Sequence, residues 1–405
     1  MCSRLWPKAG RGGLRPTAAG AGAEGGLTVP IILMTDVPPS VFRDRRLRVS
    51  QKLEQFDLRY VLISKPVDVY YLSGFRGSAG ALLLGNGRPL LWVDPRYTLQ
   101  AREESRGAAV METREPLSRA VAQWLVKKRT RAVGFQDGHL TCAELARLRA
   151  EVRKAVGRSG SALRWQPVDF LVDQLRAVKD RWEIDRIRRA GKLTAGVFSE
   201  VLPMVRPGVR ESEVAAEIEY RMKRGGADRS AFETIVASGP RAAWPHARAS
   251  SRRLRRGELV ILDLGAILAG YAADMTRTLY LGRPTRRARE LYDSVAEAQR
   301  ETVHHLHAGM TAEAVDAVAR ETLARRKLDE FFTHSTGHGV GLEVHERPRL
   351  GRGEQTLVPA GAVVTIEPGL YLEGYGGVRI EDTVLVGDNT AEILTPAPKD
   401  PWFTG

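Results

Sequence analysis

The sequence predicts a soluble globular protein with two domains, a smaller α/β domain followed by a larger α+β domain. The chain has 405 residues, which exceeds the usual size of one domain. Hydrophobic residues make up 43% of it and charged residues 27%, close to the average for folded proteins. Strand-like and helix-like segments alternate up to about residue 165, and beyond that point they follow one another irregularly.

Residues 1–39 are predicted to be a disordered lead-in. Residues 1–33 contain seven glycines and show no hydrophobic periodicity. Met34 is a natural start for the folded chain. Residues 1–33 are therefore interpreted either as an over-long gene prediction or as an arginine-rich targeting segment.

Residues 40–165 are predicted to form the α/β domain. An amphipathic helix from about residue 46 runs into the strand Arg59–Ser64. Later apolar runs and helical patterns alternate along this segment. The remaining strands are expected at Ala81–Leu84, Pro89–Val93 and Ala132–Phe135, and helices at about 96–104, 115–128 and 141–155.

Residues 166–405 are predicted to form the α+β domain. The polar segment Arg158–Trp165 and Pro167 indicate a connection, which leads to a long amphipathic helix over Asp180–Val205. The irregular order of the later elements favours helices packed on an antiparallel sheet over a doubly wound parallel sheet. Helices are expected near 210–224, 285–307 and 311–326, with strands at Glu233–Ala237, Glu258–Leu264, Gly270–Leu281, Ala362–Ile366 and Val378–Leu385.

Charge and cysteine content exclude several functional classes. The net charge of +14 suggests a nucleic-acid partner, but the basic residues are spread along the chain, so no specific nucleic acid is expected. No apolar run reaches the length of a membrane span. The two cysteines, Cys2 and Cys142, cannot form a disulfide framework, which favours a cytoplasmic location.

Four carboxylates interrupt segments that otherwise read as buried strands. Asp263 and Asp274 flank a hairpin that would set them opposite each other on neighbouring strands. Glu367 and Glu381 lie symmetrically about Gly374, in a second, glycine-rich hairpin. Burying four carboxylates without partners would be strongly unfavourable, so a positive charge is expected between them.

A histidine with glycine neighbours lies between these two hairpins. His338, in the segment Gly337-His338-Gly339, could approach a ligand closely. Four carboxylates and one imidazole form a hard, oxygen-rich ligand set that suits divalent cations. We therefore expect two divalent ions in each subunit, with Mn²⁺ favoured and Zn²⁺, Co²⁺ and Mg²⁺ as alternatives.

These motifs resemble those of the M24 metallopeptidases with the pita-bread fold, in the branch of aminopeptidase P and prolidase. The resemblance spans about residues 40–395. It implies a C-terminal pita-bread catalytic domain, preceded by a creatinase-type domain that forms a homodimer and closes the cleft. It also implies that Asp263 chelates one metal ion, that Asp274 and Glu381 bridge both ions, and that His338 and Glu367 hold the other.

The resemblance implies roles for further residues. His246 would bind the carbonyl oxygen of the bond that is cleaved, and His345 would orient the proline. Glu367 would carry a proton to the leaving nitrogen, and His334 would line the substrate pocket. Arg379 is expected to orient the carboxylates that bind the metals, from the strand face opposite to Glu381.

The first domain and the catalytic domain suggest different substrates. The segments Tyr71–Gly80 and Asp94–Tyr97 resemble motifs of aminopeptidase P, which cleaves peptides with proline at the second position. Arg349 instead matches an arginine with which some prolidases bind the carboxylate of a dipeptide. We expect an Xaa-Pro aminopeptidase, with an Xaa-Pro dipeptidase as the alternative. The complete ligand set argues against a third possibility, an inactive binding protein.

Overall fold

The computed structural model describes residues 37–85, 87–157, 163–168, 171–400 and 402–403. Most of the predicted disordered lead-in therefore lies outside the described residues. The described part contains ten α-helices and twenty strands. The helices are α1 Pro39–Glu54, α2 Pro66–Ser73, α3 Thr98–Glu104, α4 Leu117–Lys127, α5 Cys142–Val156, α6 Asp173–Arg176, α7 Arg181–Val201, α8 Glu211–Arg224, α9 Arg286–His305 and α10 Ala312–Ala324.

The strands fall into one sheet before α6 and four sheets after it. The strands are β1 Tyr60–Ile63, β2 Ala81–Gly85, β3 Leu90–Val93, β4 Ala109–Glu112, β5 Ala132–Phe135, β6 Arg164–Pro167, β7 Arg229–Ser230, β8 Ile235–Ser238, β9 Leu259–Leu264, β10 Ala266–Leu268, β11 Tyr271–Ala272, β12 Met275–Leu281, β13 Gly337–Gly339, β14 Glu346–Leu350, β15 Val363–Ile366, β16 Gly369–Leu372, β17 Gly376–Arg379, β18 Asp382–Val386, β19 Ala391–Ile393 and β20 Trp402–Phe403.

The first domain is built on a mixed six-stranded sheet in the order β4-β3-β2-β1-β5-β6. Strand β6 lies within the segment that we expected to be a polar connection. That expectation is wrong for residues 164–167, because this segment pairs in parallel with β5 along the sheet edge. A polar edge strand takes its hydrogen bonds from a partner distant in the chain, and sequence periodicity does not reveal such a partner.

The second domain has the α+β organisation that the sequence predicts. Its main sheets are β20-β12-β9-β8 and β14-β13-β15-β18-β19, and all their described pairings except β12 with β20 are antiparallel. Every residue of β9 and β12 is buried. The two strands therefore lie in the core of the domain and hold the polar residues at their ends in place.

Helix α7 illustrates how local signals set the element boundaries. Its N-cap residue Asp180 accepts hydrogen bonds from the backbone N–H groups of Trp182 and Glu183, and the Glu183 side chain completes a capping box. The helix was expected to continue to Val205, but it ends at Val201. Pro203 explains the early end, because proline cannot donate the next helical hydrogen bond.

None of the described helices is long and apolar enough to cross a membrane.

Candidate active site

Asp263 and Asp274 lie at the ends of the buried strands β9 and β12. The sequence predicted that they would be direct cross-strand partners, which is wrong, because Asp263 pairs with Thr276. Direct pairing would need a turn centred on Leu268-Ala269. The strands instead continue in one register through β10 and β11 to a two-residue turn at Ala269-Gly270, one residue later, and this moves the register by two residues. An offset of two residues keeps both carboxylates on the same face, so they still point into one site.

Glu367 and Glu381 oppose each other where two antiparallel ladders meet. Ile366 pairs with Asp382 in the ladder of β15 and β18, and Gly369 pairs with Arg379 in the ladder of β16 and β17. Both glutamates lie in the break between these ladders. The hairpin symmetry about residue 374 that the sequence predicts is present.

His338 brings an imidazole nitrogen to the carboxylates. Its Nε2 lies 3.4 Å from Glu367 Oε1 and 3.8 Å from Asp274 Oδ2. The ring Nδ1 is 3.0 Å from the carbonyl oxygen of Gly339, so Nδ1 carries the proton and donates it. Nε2 therefore presents a lone pair toward the carboxylates, which is the tautomer that a metal ligand needs.

The cluster carries more negative charge than its protein contacts neutralise. Asp263 Oδ1 and Asp274 Oδ1 are buried and have no hydrogen-bond partner among the described residues. Burial, together with the charges of Asp263 and Glu367, raises the pKa of Asp274 well above its usual value. Burial raises the pKa of Glu381 in the same way, and it raises the pKa of Glu367 to about 7. When these three carboxyl groups are ionised, a cation is needed to offset their buried negative charge.

The donor set fits divalent cations. Asp274, His338 and Glu381 each offer one ligand atom, and these three atoms lie within 4.8 Å of one another. Asp263 Oδ1 and Asp274 Oδ1, to which no donor of the described residues is bonded, are further ligand atoms. Oxygen ligands with one imidazole are suited to hard or borderline divalent ions.

Arg379 holds the carboxylate of Asp263 in place. It is 3% exposed, and its Nη2 donates a 2.6 Å hydrogen bond to Asp263 Oδ2. Its Nε donates to Thr276 Oγ1, which in turn donates to Glu381 Oε2. The expectation that Arg379 and Glu381 lie on opposite faces is wrong: both side chains meet at Thr276, and residues two positions apart in a strand share a face.

His246 lies in a loop that follows the 3-10 helix Gly239–Ala243. Buried Glu211 at the start of α8 anchors this segment. Its carboxylate accepts hydrogen bonds from the backbone N–H and the hydroxyl groups of both Ser238 and Ser250. The two ends of the His246 loop are therefore tied to one carboxylate.

His334 and His345 occupy different positions around the metal ligands. His334 accepts a hydrogen bond from Tyr371 through Nε2 and donates one to the carbonyl of Ser335 through Nδ1, at 2.8 Å each. Burial lowers the pKa of His334 to about 4, which agrees with this neutral tautomer. The ring of His345 lies 4.3 Å from the ring of His338. Burial also lowers the pKa of His345.

Arg349 is the direct cross-strand partner of His338, on β14 and β13. Its Nε donates to Ser335 Oγ at 3.0 Å, and its side chain is 66% exposed. Direct cross-strand partners project from the same face of a sheet. The exposed guanidinium of Arg349 therefore lies on the same face of the sheet as the candidate metal ligand His338.

One cavity of about 780 Å³ brings the predicted site residues together. All ten of them line it. They are His246, Asp263, Asp274, His334, His338, His345, Arg349, Glu367, Arg379 and Glu381. Sequence reasoning missed the groups that hold these residues, namely Thr276, Tyr371 and Glu211. Thr276 follows Asp274 by two residues in the segment Asp-Met-Thr. This proximity is the only sequence signal that could have suggested a role for Thr276 in the site.

Comparisons with known proteins agree with this geometry. The model of metallopeptidase family M24 matches residues 185–388, and the model of the creatinase/prolidase N-terminal domain matches residues 45–178. An Xaa-Pro dipeptidase of Pyrococcus furiosus is 36% identical over 359 residues, which cover 88% of this chain and 99% of that protein.

Solved structures show the same fold over nearly the whole chain. The Xaa-Pro dipeptidase from Bacillus anthracis has a TM-score of 0.85 and 33% identity, covering 89% of this chain and 100% of its own. The X-Pro aminopeptidase from Thermotoga maritima has a TM-score of 0.80 and 34% identity, covering 87% and 100%. The chain therefore belongs to metallopeptidase family M24, with a pita-bread catalytic domain behind a creatinase-type N-terminal domain.

Proposed function

We propose that this metallopeptidase is an Xaa-Pro dipeptidase that hydrolyses dipeptides with a C-terminal proline. The observation that carries the proposal is the position of Arg349, directly across the strand pair from the candidate metal ligand His338. A cation one residue beyond the cleaved bond would favour substrates with a free carboxylate at that position.

Five residues would hold a pair of divalent ions. They are Asp263, Asp274, His338, Glu367 and Glu381, which line one cavity. When bound, the cations would polarise the peptide carbonyl and acidify a water molecule. Mn²⁺ as the favoured ion, the homodimer and the cytoplasmic location stay predictions from the sequence.

The protein side chains would orient the substrate and move protons. His246, an exposed residue that lines the cavity, would donate a hydrogen bond to the carbonyl oxygen as negative charge develops there. Glu367 would carry a proton to the proline nitrogen, whose bond must break. His345 would orient the proline ring, because it lies beside His338 on the wall that also holds Arg349.

Arg349 has the reach and the freedom to bind a terminal carboxylate. Direct partners in an antiparallel pair lie about 5 Å apart at Cα, and one peptide residue spans about 3.5 Å. A proline carboxylate would therefore fall within reach of the guanidinium. Its described ion pair, with Glu354, is long at 3.7 Å, and so leaves the guanidinium available for a carboxylate.

The relatives support the dipeptidase better than the aminopeptidase that we expected from the first-domain motifs. The Pyrococcus furiosus relative is named an Xaa-Pro dipeptidase and is matched over 99% of its length. The aminopeptidase stays a second candidate, because the Thermotoga maritima structure with that name is 34% identical. Both activities need the same metal site, so only the substrate distinguishes them.

The test compares the metal-loaded enzyme on Xaa-Pro dipeptides and Xaa-Pro-Xaa tripeptides. We expect dipeptides to be preferred in kcat/KM. Arg349→Met should lower kcat/KM for dipeptides by about 10- to 100-fold, the loss of one charge-assisted hydrogen bond, and change tripeptide cleavage far less. Arg352→Met is the matched control, because Arg352 is exposed and lies outside the cavity lining. Equal or better cleavage of tripeptides would make the protein an aminopeptidase.

A further inference from the structure

A buried ion network surrounds Arg176, the last residue of α6. Arg176 is 1% exposed, and its Nη1 donates to Asp68 Oδ1 at 2.9 Å. Its Nη2 donates to Glu343 Oε2 at 2.8 Å and to Glu346 Oε2 at 2.5 Å. One guanidinium therefore joins α2 of the N-terminal domain to a segment of the catalytic domain.

Two lysines extend the network, so that each glutamate contacts two cations. Lys179 Nζ lies 2.8 Å from Glu346 Oε1. Lys65, the N-cap of α2, places its Nζ 2.7 Å from Glu343 Oε2. Although burial alone would raise the pKa of Glu346, the charges of Lys179 and Arg176 hold it below its usual value. Glu346 is therefore ionised at neutral pH.

The two glutamates flank His345 in a tight loop. The backbone N–H of Gly341 donates to the carbonyl of Glu343, and the carboxylate of Glu346 leaves no room for a Cβ at Gly341. The loop thus folds on itself around the Glu346 side chain. Because the His345 ring is 4.3 Å from the ring of His338, any shift of this loop moves His345 relative to the metal ligands.

The network favours one arrangement of the loop. Removing one partner from a buried ion pair is strongly destabilising, because the remaining charge stays buried without compensation. Only a guanidinium presents several donors in a planar fork that can serve Asp68 and both glutamates together. The loop therefore has a defined position as long as Arg176 is in place.

We propose that Arg176 is a positioning residue for His345, which it holds against the metal site through Glu343 and Glu346. The activity measurements that test this role rest on the proposed Xaa-Pro dipeptidase function. Arg176 itself contacts neither the candidate metal ligands nor the place of the substrate. Its effect on catalysis should therefore pass through His345.

The test is a double-mutant cycle of Arg176→Met and His345→Ala on the metal-loaded enzyme. Each single variant should lower kcat/KM for an Xaa-Pro dipeptide at least about tenfold while keeping the metal content of the wild type. The double variant should be within about twofold of His345→Ala, because a positioning residue has no effect once its target is absent. If the double variant instead shows the product of the two single losses in kcat/KM, the proposal is wrong.

Arg45→Met is the matched control. The side chain of Arg45 is 6% exposed and binds Asp180 at 2.7 Å and Glu183 at 3.3 Å, so it is another buried ion pair between the N-terminal domain and α7. The described contacts of Arg45 do not include the His345 loop. Its loss should weaken stability similarly, and any effect on activity should multiply with that of His345→Ala.

Hydrogen exchange measured by mass spectrometry gives a readout that needs no substrate. Exchange in residues 341–347 should rise at least about tenfold in Arg176→Met and stay unchanged in Arg45→Met. If the wild type cleaves no Xaa-Pro dipeptide, the proposed function fails and loop exchange alone decides the role of Arg176. Unchanged exchange in this loop would overturn that role. If Arg176→Met does not fold, Glu346→Gln, which keeps the side-chain volume, replaces it with the same expected outcomes.

Discussion

Arg379 donates a 2.6 Å hydrogen bond to one oxygen of Asp263, while the other oxygen, Oδ1, is buried and has no hydrogen-bond partner in the described part of the chain. The guanidinium thus fixes the plane of the carboxylate and leaves one oxygen for a cation. Arg379 also donates to Tyr371, Thr276 and the carbonyl oxygen of Pro245, so its own position is set by three further groups. The hydrogen bonds of Arg379 therefore fix the orientation of the Asp263 carboxylate.

Removal of Arg379 should therefore weaken metal binding. Arg379→Met is expected to lower metal affinity about 10- to 100-fold, the usual effect of losing a group that orients a ligand. Mass spectrometry of metal content after dialysis against buffered Mn²⁺ measures this. Arg188→Met, which breaks the exposed pair with Glu392, serves as the control and should bind metal normally. Wild-type affinity in Arg379→Met would contradict the orienting role given to Arg379.

The metal-free protein should lose stability as the pH rises. Burial raises the pKa of Glu367 from 4.5 to about 7, so the folded state binds this proton more tightly than the unfolded state does. The resulting stabilisation is complete below pH 4.5 and is lost as the pH rises through about 7, and Glu367 contributes on the order of 3 kcal/mol. Asp274 and Glu381 act in the same direction.

Thermal unfolding of the chelated protein at pH 5 and pH 8 measures this effect. We expect a lower melting temperature at pH 8, a smaller difference in Glu367→Gln, and recovery when Mn²⁺ is added, because the cation favours the ionised carboxylates. Equal pH dependence in the wild type and Glu367→Gln would show that this carboxyl is not the titrating group.

His246 should matter for the reaction and not for metal binding. His246→Ala is expected to keep the wild-type metal content and to lower kcat about 10²-fold, the size of one lost hydrogen bond to the developing negative charge. Steady-state kinetics and metal analysis of the same preparation test this. His305→Ala, an exposed histidine on α9, is the control. Loss of metal in His246→Ala would instead identify a ligand.

Much of the fold follows from local signals in the sequence. Helix α7 begins where Asp180 and Glu183 form a capping box, and α9 and α10 begin after the capping threonines Thr285 and Thr311. These are interactions between residues that are neighbours in the chain. Composition and periodicity therefore identify such elements without knowledge of their packing.

Other features depend on partners far away in the sequence. Strand β6 is polar and becomes a strand only through its pairing with β5. The register of Asp263 against Thr276 is set by the turn at Ala269-Gly270, whose position the pattern of the strands does not reveal. The sequence therefore predicted which carboxylates converge, but placed Asp274 two positions away from its observed register.

The sequence by itself determined the chemistry of the site. Charged residues within apolar strands, and a histidine between glycines, are anomalies that need only residue types and spacing to be recognised. Tertiary structure alone decided how these groups are held. Arg176 meets Glu343 and Glu346 across 167 and 170 positions of the chain, and Arg379 meets Asp263 across 116. The physical reason is that the energy of a buried ion pair depends on the distance between the charges and on their desolvation. Both are set by the tertiary fold and cannot be read from the order of the residues.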